Sequence, residues 1–115
     1  MDLAIVIVSY NVRELTRGCL ASLCAALEEE PLAAHVWVVD NASADGSAGM
    51  VREAFPQATL LESGGNLGFA GGANLGLRAI GALDEAPRHV LLLNPDTIVA
   101  PDALGHLVRF MDEHP

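Results

Sequence analysis

Val90-Leu91-Leu92-Leu93-Asn94-Pro95-Asp96-Thr97 is the stretch that decides the fold. Four consecutive apolar residues stop at a turn sequence, and a helix signal starts at Pro101. A short apolar run bounded by turn residues reads as a strand buried on both faces. The polar residues after it then sit at the strand's carboxyl end, the edge of an open parallel sheet where ligands bind. Asp96, held there, is a candidate ligand for a hard divalent cation.

The same alternation recurs upstream. Leu3 to Val8 is an apolar, β-branched run ended by Ser9-Tyr10-Asn11. Asn11 with Glu14 three residues later has the form of a capping box, and Val12, Leu15, Cys19, Leu20, Leu23 and Leu27 follow at helical spacing. Glu28-Glu29-Glu30 and Pro31 end that helix. His35 to Val39 is a second strand, stopping at Asp40-Asn41-Ala42-Ser43-Ala44-Asp45-Gly46. Met50, Val51, Ala54 and Phe55 mark a second helix, Ala58 to Leu61 a third strand, and a glycine-dense stretch runs from Ser63 to Gly76. Leu75, Leu77, Ile80 and Leu83 give a third helix. Pro101 opens a fourth, with Leu104, Leu107, Val108 and Met111 along one face.

The order is βα four times over. It predicts an α/β fold: a mostly parallel sheet of about four strands with helices on both faces. Residues 1–115 are expected to form one domain. Four polar or glycine-rich clusters would converge on one sheet edge, which is more than packing requires.

Composition narrows the function. Net charge is -9, and all six basic residues are scattered arginines, so nucleic-acid binding is not expected. No apolar run reaches the roughly 20 residues that span a bilayer. Met1-Asp2-Leu3 lacks the basic start of a secretory signal, so the expected location is cytoplasmic. Cys19 and Cys24 are five apart on a helix, unsuited to a disulfide, and read as small buried residues.

The clusters have competing readings. Asp40 suits hydrogen bonding to a nucleobase or ribose, but also an ordinary turn. Ser43 and Asp45 suit a turn and the cap of the second helix. The glycine stretch has no G-x-x-x-x-G-K-[ST] and does not follow the first strand. It is therefore neither a Walker A loop nor a dinucleotide fingerprint. Gly68, Gly71 and Gly72 would permit close backbone approach to a ligand and tight packing of the following helix.

Four segments together resemble family-2 glycosyltransferases of GT-A fold: Val6 to Asn11, Val38 to Ser47, Asn66 to Gly76, and Leu92 to Thr97. The glycine stretch and Asn94-Pro95-Asp96-Thr97 are most similar to the rhamnosyltransferase-like branch. The resemblance implies a nucleotide-sugar-binding portion in which Ser9 and Tyr10 line the base pocket and Asp40 contacts a pyrimidine. Asn66, Gly68 and Asn74 would shape the nucleotide and donor-sugar pocket. Asp96 would bind Mn²⁺ or Mg²⁺ on the diphosphate of a UDP- or dTDP-linked sugar. Asn94 stands where many members have a further Asp, and Ala73 where many have Arg. The implied activity is inverting transfer of a sugar such as rhamnose to a bacterial polysaccharide or glycolipid, with the full protein peripheral to a membrane. The general base and the acceptor-binding half are expected beyond residue 115. Two other readings stand beside this one: a nucleotidyltransferase-like domain, and an inactive assembly module. For the last, a homodimer through an open edge of the fourth strand is expected.

Overall fold

The computed structural model describes residues 1–114. Eight elements alternate: β1 (Leu3–Ser9), α1 (Arg13–Glu29), β2 (Ala34–Asp40), α2 (Ser47–Ala54), β3 (Thr59–Glu62), α3 (Gly68–Gly81), β4 (His89–Leu93) and α4 (Ala103–Glu113). The four strands form one parallel sheet in the order β3-β2-β1-β4.

The sheet has a core on each face because strand side chains alternate. Leu3, Ile5, Ile7, Val36 and Val38 pack against Cys19, Leu20 and Leu23 of α1, Met50 and Val51 of α2, and Leu104 and Val108 of α4. On the other face Ala4, Val6, Val8, Trp37 and Val39 meet Ala73 and Ile80 of α3. The chain winds outward from β1 to β3 with α1 and α2 on one face. It then crosses the opposite face through α3 and returns beside β1. The strand order therefore reverses between β1 and β4, and a crevice outside their carboxyl ends is where such sheets take ligands.

Several expectations need correction. β4 is not buried on both faces. It is an edge strand bonded only to β1 among the described residues, and its burial alternates, with Val90 44% and Leu92 43% exposed. These two share a face with Ala4 and Val6, but α3 lies over β1 and β2 and leaves them open.

Most of the glycine stretch is helix rather than loop. α3 begins at Gly68, and its buried positions are Gly72, Ala73, Gly76 and Ile80, while Leu77 and Leu83 are exposed. Glycine's low helix propensity is overridden by packing. A Cβ on Gly72 would stand 2.7 Å from Val8 Cγ1, and one on Gly76 2.7 Å from Val6 Cγ1. In α1, Leu15 is exposed and Thr16 takes a buried place instead.

An apolar cavity of about 210 Å³ lies between β4 and α4, lined by Leu91, Leu107, Val108 and Met111 among others. It lies toward the amino end of β4, beside His89 and Leu3.

Candidate functional site

The polar edge is built from four strand ends. Ser9 and Asp40 are register partners across β1 and β2, and Asp40 pairs in turn with Glu62 of β3. Ile7 pairs with Leu93, the last residue of β4, so Ser9 ends β1 two residues further on while the chain beyond β4 turns through Pro95 and Asp96.

The loops after β1 and β2 are stapled together. The Asn11 N–H donates to Ser43 Oγ at 2.9 Å, and the Ala44 N–H donates to Asn11 Oδ1 at 2.7 Å. The Arg13 N–H donates to Asp45 Oδ2 at 3.0 Å. Asn11 therefore joins two loops and does not form the expected capping box; residue Val12 is the N-cap of α1 and provides no side-chain cap. Asp45 does accept the Ser47 N–H at the start of α2, from one position before the Gly46 N-cap. The Ser47 hydroxyl, bonded to Asp45, holds that carboxyl below its ordinary range. Burial opposes the shift, and the Arg13 and Ser47 amides add to it. Asn11 and Ala42 both have positive φ, 51° and 64°. For an alanine that conformation stores about 1 kcal/mol or more, which the shared bonds, worth about 1 kcal/mol each, offset.

Asp40 is the most buried charged group of the edge, 3% exposed. Its Oδ2 accepts the Ser43 N–H at 3.0 Å, while Oδ1 is buried with no partner. Its carbonyl accepts both the amide and the hydroxyl of Ser63, at 3.0 and 3.1 Å. Beside it, buried Asn41 donates through Nδ2 to the Gly68 carbonyl at 3.0 Å and leaves Oδ1 without a partner. Neither oxygen has a partner among the described residues, which is uncommon for buried acceptors; Asp40 lies on the α1–α2 side of the sheet and Asn41 on the α3 side.

The other expected site residues are distributed as follows. The Ser9 side chain is buried and shares a hydrogen bond with Thr16 Oγ1 at 2.8 Å, on the α1 side of the sheet. Its carbonyl accepts the Asn41 N–H at 2.9 Å. Tyr10 is exposed at the rim. Asn66 is exposed and accepts the Gly68 N–H at 3.0 Å. Gly68, at φ 72°, turns the chain into α3. Asn74 is exposed in the second turn of α3.

Asp96 is exposed and stands at the third position of a turn closed by the Thr97 N–H on the Asn94 carbonyl, 3.1 Å. Beneath the turn, the Cys19 thiol donates weakly to the same carbonyl at 3.7 Å. Burial, with the Asp96 charge nearby, pushes that thiol up to about 11, so it stays a protonated donor.

Among the described residues no three His, Cys, Asp or Glu side chains converge on a metal position. One exposed carboxylate suits a different kind of site. Mg²⁺-type cations keep several waters and are held by one or two carboxylates plus substrate phosphates rather than by an all-protein cage. Asp96 is a carboxylate that could serve a site of that kind.

The sequence pattern gave no notice of the long-range hydrogen bonds made by Asn41, Thr16 and Ser22. The available signals were a second amide beside Asp40 and hydroxyls inside an apolar helical face.

Comparison with known proteins bears on the family and the fold. A family model for glycosyl transferase family 2 matches residues 4–115. The low-salt glycan biosynthesis hexosyltransferase Agl10 of Haloferax volcanii is 34% identical over 109 residues, covering 92% of this chain and 31% of its own length. Among solved structures, S. aureus TarS 1–349 superposes with a TM-score of 0.78 at 22% identity, covering 99% of this chain and 33% of that one. TarS 1–349 has also been solved in complex with UDP-GlcNAc. The mannosyltransferase PcManGT of Pyrobaculum calidifontis, in complex with GDP-Man and Mn²⁺, gives 0.79 at 27% identity, covering 96% and 32%. The chain spans about a third of the length of these relatives. The sheet is that of GT-A glycosyltransferases, and the chain belongs to glycosyl transferase family 2.

Proposed function

We propose that this chain is the nucleotide-sugar-binding portion of an inverting glycosyltransferase, with its site at the β1–β4 crossover edge. The observation that carries the reading is Asp40: a buried carboxylate at a strand's carboxyl end with one oxygen lacking a partner. Uracil and thymine each offer an imino N–H to such an oxygen, as guanine does and cytosine and adenine do not, which suits a UDP- or dTDP-linked donor and leaves GDP as the competitor to test. Because Oδ1 is shielded, contact requires the loop after β2 to give slightly. Tyr10 at the rim offers a ring to stack on the base.

Asn66, Gly68 and Asn74 border the sugar and diphosphate side. Asn41, through its bond to the Gly68 carbonyl, ties that border to the base side. Asp96 is the residue that would hold Mn²⁺ or Mg²⁺ against the diphosphate. Such a cation, when bound, stabilises charge on the leaving nucleoside diphosphate. Asn94 supplies a neutral oxygen where a second carboxylate would bind more tightly. The chain's own residues thus bind and orient the donor.

An inverting displacement also needs a base within reach of the acceptor hydroxyl, and we assign it, with the acceptor-binding half, to sequence outside residues 1–115. Relatives about three times as long support that division. The acceptor is a bacterial polysaccharide or glycolipid and rhamnose is a candidate sugar, in an enzyme working in the cytoplasm against a membrane surface. No helix among the described residues is long and apolar enough to cross one.

A second reading rests on β4. Its unpaired edge and exposed Val90 and Leu92 favour association of two copies edge to edge, as an assembly module.

Isothermal titration with UDP, dTDP and GDP, with and without Mn²⁺, tests the main reading. UDP or dTDP binding that Mn²⁺ strengthens is expected, and Asp40→Ala should weaken it under both conditions. Failure of every nucleotide to bind would end the reading for this chain.

A further inference from the structure

α1 carries a polar strip inside its buried face. Thr16, Cys19 and Ser22 recur every three residues, along one ridge of the helix. Each bonds to a segment at or just beyond the strands' carboxyl edge. Thr16 Oγ1 shares its hydrogen bond with Ser9 Oγ at the end of β1. The Cys19 thiol donates to the Asn94 carbonyl that closes the Asp96 turn. Ser22 Oγ accepts the Val99 N–H at 2.9 Å and donates to the Cys19 carbonyl at 2.9 Å.

These contacts matter because the segment after β4 has little else to fix it. Asn94, Asp96 and Ile98 are exposed, and Val99 is the one buried residue of that stretch. Its ends are tied across 75 and 77 residues of sequence to one helix, and that helix also grips Ser9. The strip therefore links the two sides of the crevice. The two hydroxyls would otherwise be poor choices in this face against leucine or alanine.

We propose that Thr16, Cys19 and Ser22 form a positioning strip that sets where the Asp96 carboxylate stands relative to the strand ends on the base side, with Ser22 its principal member. The inference rests on the reading of Asp96 as the diphosphate–metal residue. None of the three touches the ligand. They act through the backbone of residues 94–99 and of Ser9.

The test separates position from stability. UDP affinity is measured by calorimetry with and without Mn²⁺ for the unaltered chain and for Asp96→Ala, Ser22→Ala and Ser22→Thr, with melting temperatures alongside. Groups that hydrogen-bond a metal's ligands directly change affinity by about 10–100-fold when removed, and Ser22, acting through the backbone, is placed at the lower end of that range. Ser22→Ala should therefore lose about tenfold of the Mn²⁺-dependent gain while metal-free UDP affinity stays put. Ser22→Thr, which keeps the hydroxyl, should restore the gain. If Ser22→Ala does not fold, Ser22→Cys, similar in volume but a poor acceptor, is expected to give the same split.

A Mn²⁺-dependent gain unchanged by the Ser22 variants but lost in Asp96→Ala overturns this inference alone. So does an equal fall in both affinities that merely follows the melting temperature. A gain that survives Asp96→Ala, or none in the unaltered chain, overturns the reading of Asp96 and the inference with it.

Discussion

Gly76→Ala should destabilise this chain even though alanine is the better helix former. In a helix interior alanine gains about 0.8–1.0 kcal/mol over glycine. At Gly76 the new Cβ would lie 2.7 and 3.3 Å from the two Val6 methyls and 3.5 Å from Val39 Cγ2. Val6 and Val39 are buried in adjacent central strands, and β-branched side chains have little rotamer freedom there. The contact can be relieved only by lifting α3 off the sheet. Overpacking of this kind costs about 1–3 kcal/mol. Set against the propensity gain, a net loss of about 1 kcal/mol remains, a fall in Tm of about 4–8 °C for a domain near this size. Gly81 is the internal control: it ends the same helix, and a Cβ there meets nothing within 4 Å. Gly81→Ala should leave Tm unchanged or raise it slightly. Thermal unfolding followed by circular dichroism measures both. A Gly76→Ala chain as stable as Gly81→Ala would refute the close seating of α3 on β1 and β2. Lifting α3 also strains the Asn41–Gly68 bond, so UDP affinity should fall together with Tm.

Three further outcomes follow from particular groups. Cys19, buried and pushed up to about 11, should resist iodoacetamide at pH 8 while half-buried Cys24 is alkylated; mass spectrometry of the labelled peptides would contradict this if Cys19 reacted first. The Asp45 carboxyl is held below its ordinary range chiefly by the Ser47 hydroxyl. Its contribution is therefore complete above the ordinary aspartate pKa and is lost as pH falls through the lower folded value. The Arg13 and Ser47 amide resonances should report an inflection below the ordinary aspartate range, and one above it would reverse the sign. Light scattering at high micromolar concentration should find a dimer, and Leu92→Lys on the exposed face of β4 should dissociate it. A monomer throughout would remove the edge-to-edge reading.

The alternation of strands and helices was legible because each apolar run ends at a polar or glycine cluster, and Asp40 and Asp96 could be assigned to strand ends on that pattern alone. The burial of β4 was not. Val90-Leu91-Leu92-Leu93 has the same composition whether helices cover one face or two, and only the seating of α3 over β1 and β2 leaves Val90 and Leu92 open. The extent of α3 was hidden for a related reason. Propensity argues against helix in Gly68 to Gly76, but the sheet demands small residues exactly where a Cβ would strike Val6 and Val8. Asn11 resembled a cap, yet its partners are Ser43 and Ala44, over thirty residues away. Thr16 and Ser22 were silent for the same cause. A hydroxyl on an apolar helical face becomes informative only once its long-range partner is known.

A nucleoside diphosphate and its cation should meet at the β1–β4 edge, with Asp96 on the cation. Paramagnetic broadening of backbone amide resonances by substoichiometric Mn²⁺, in the UDP-saturated chain, tests it most directly. Broadening should centre on residues 94–97, extend to Ser9, Tyr10 and Asn11, and be abolished by Asp96→Ala. Broadening centred instead on the acidic end of α1 at Glu28, Glu29 and Glu30, and unaffected by UDP, would contradict it.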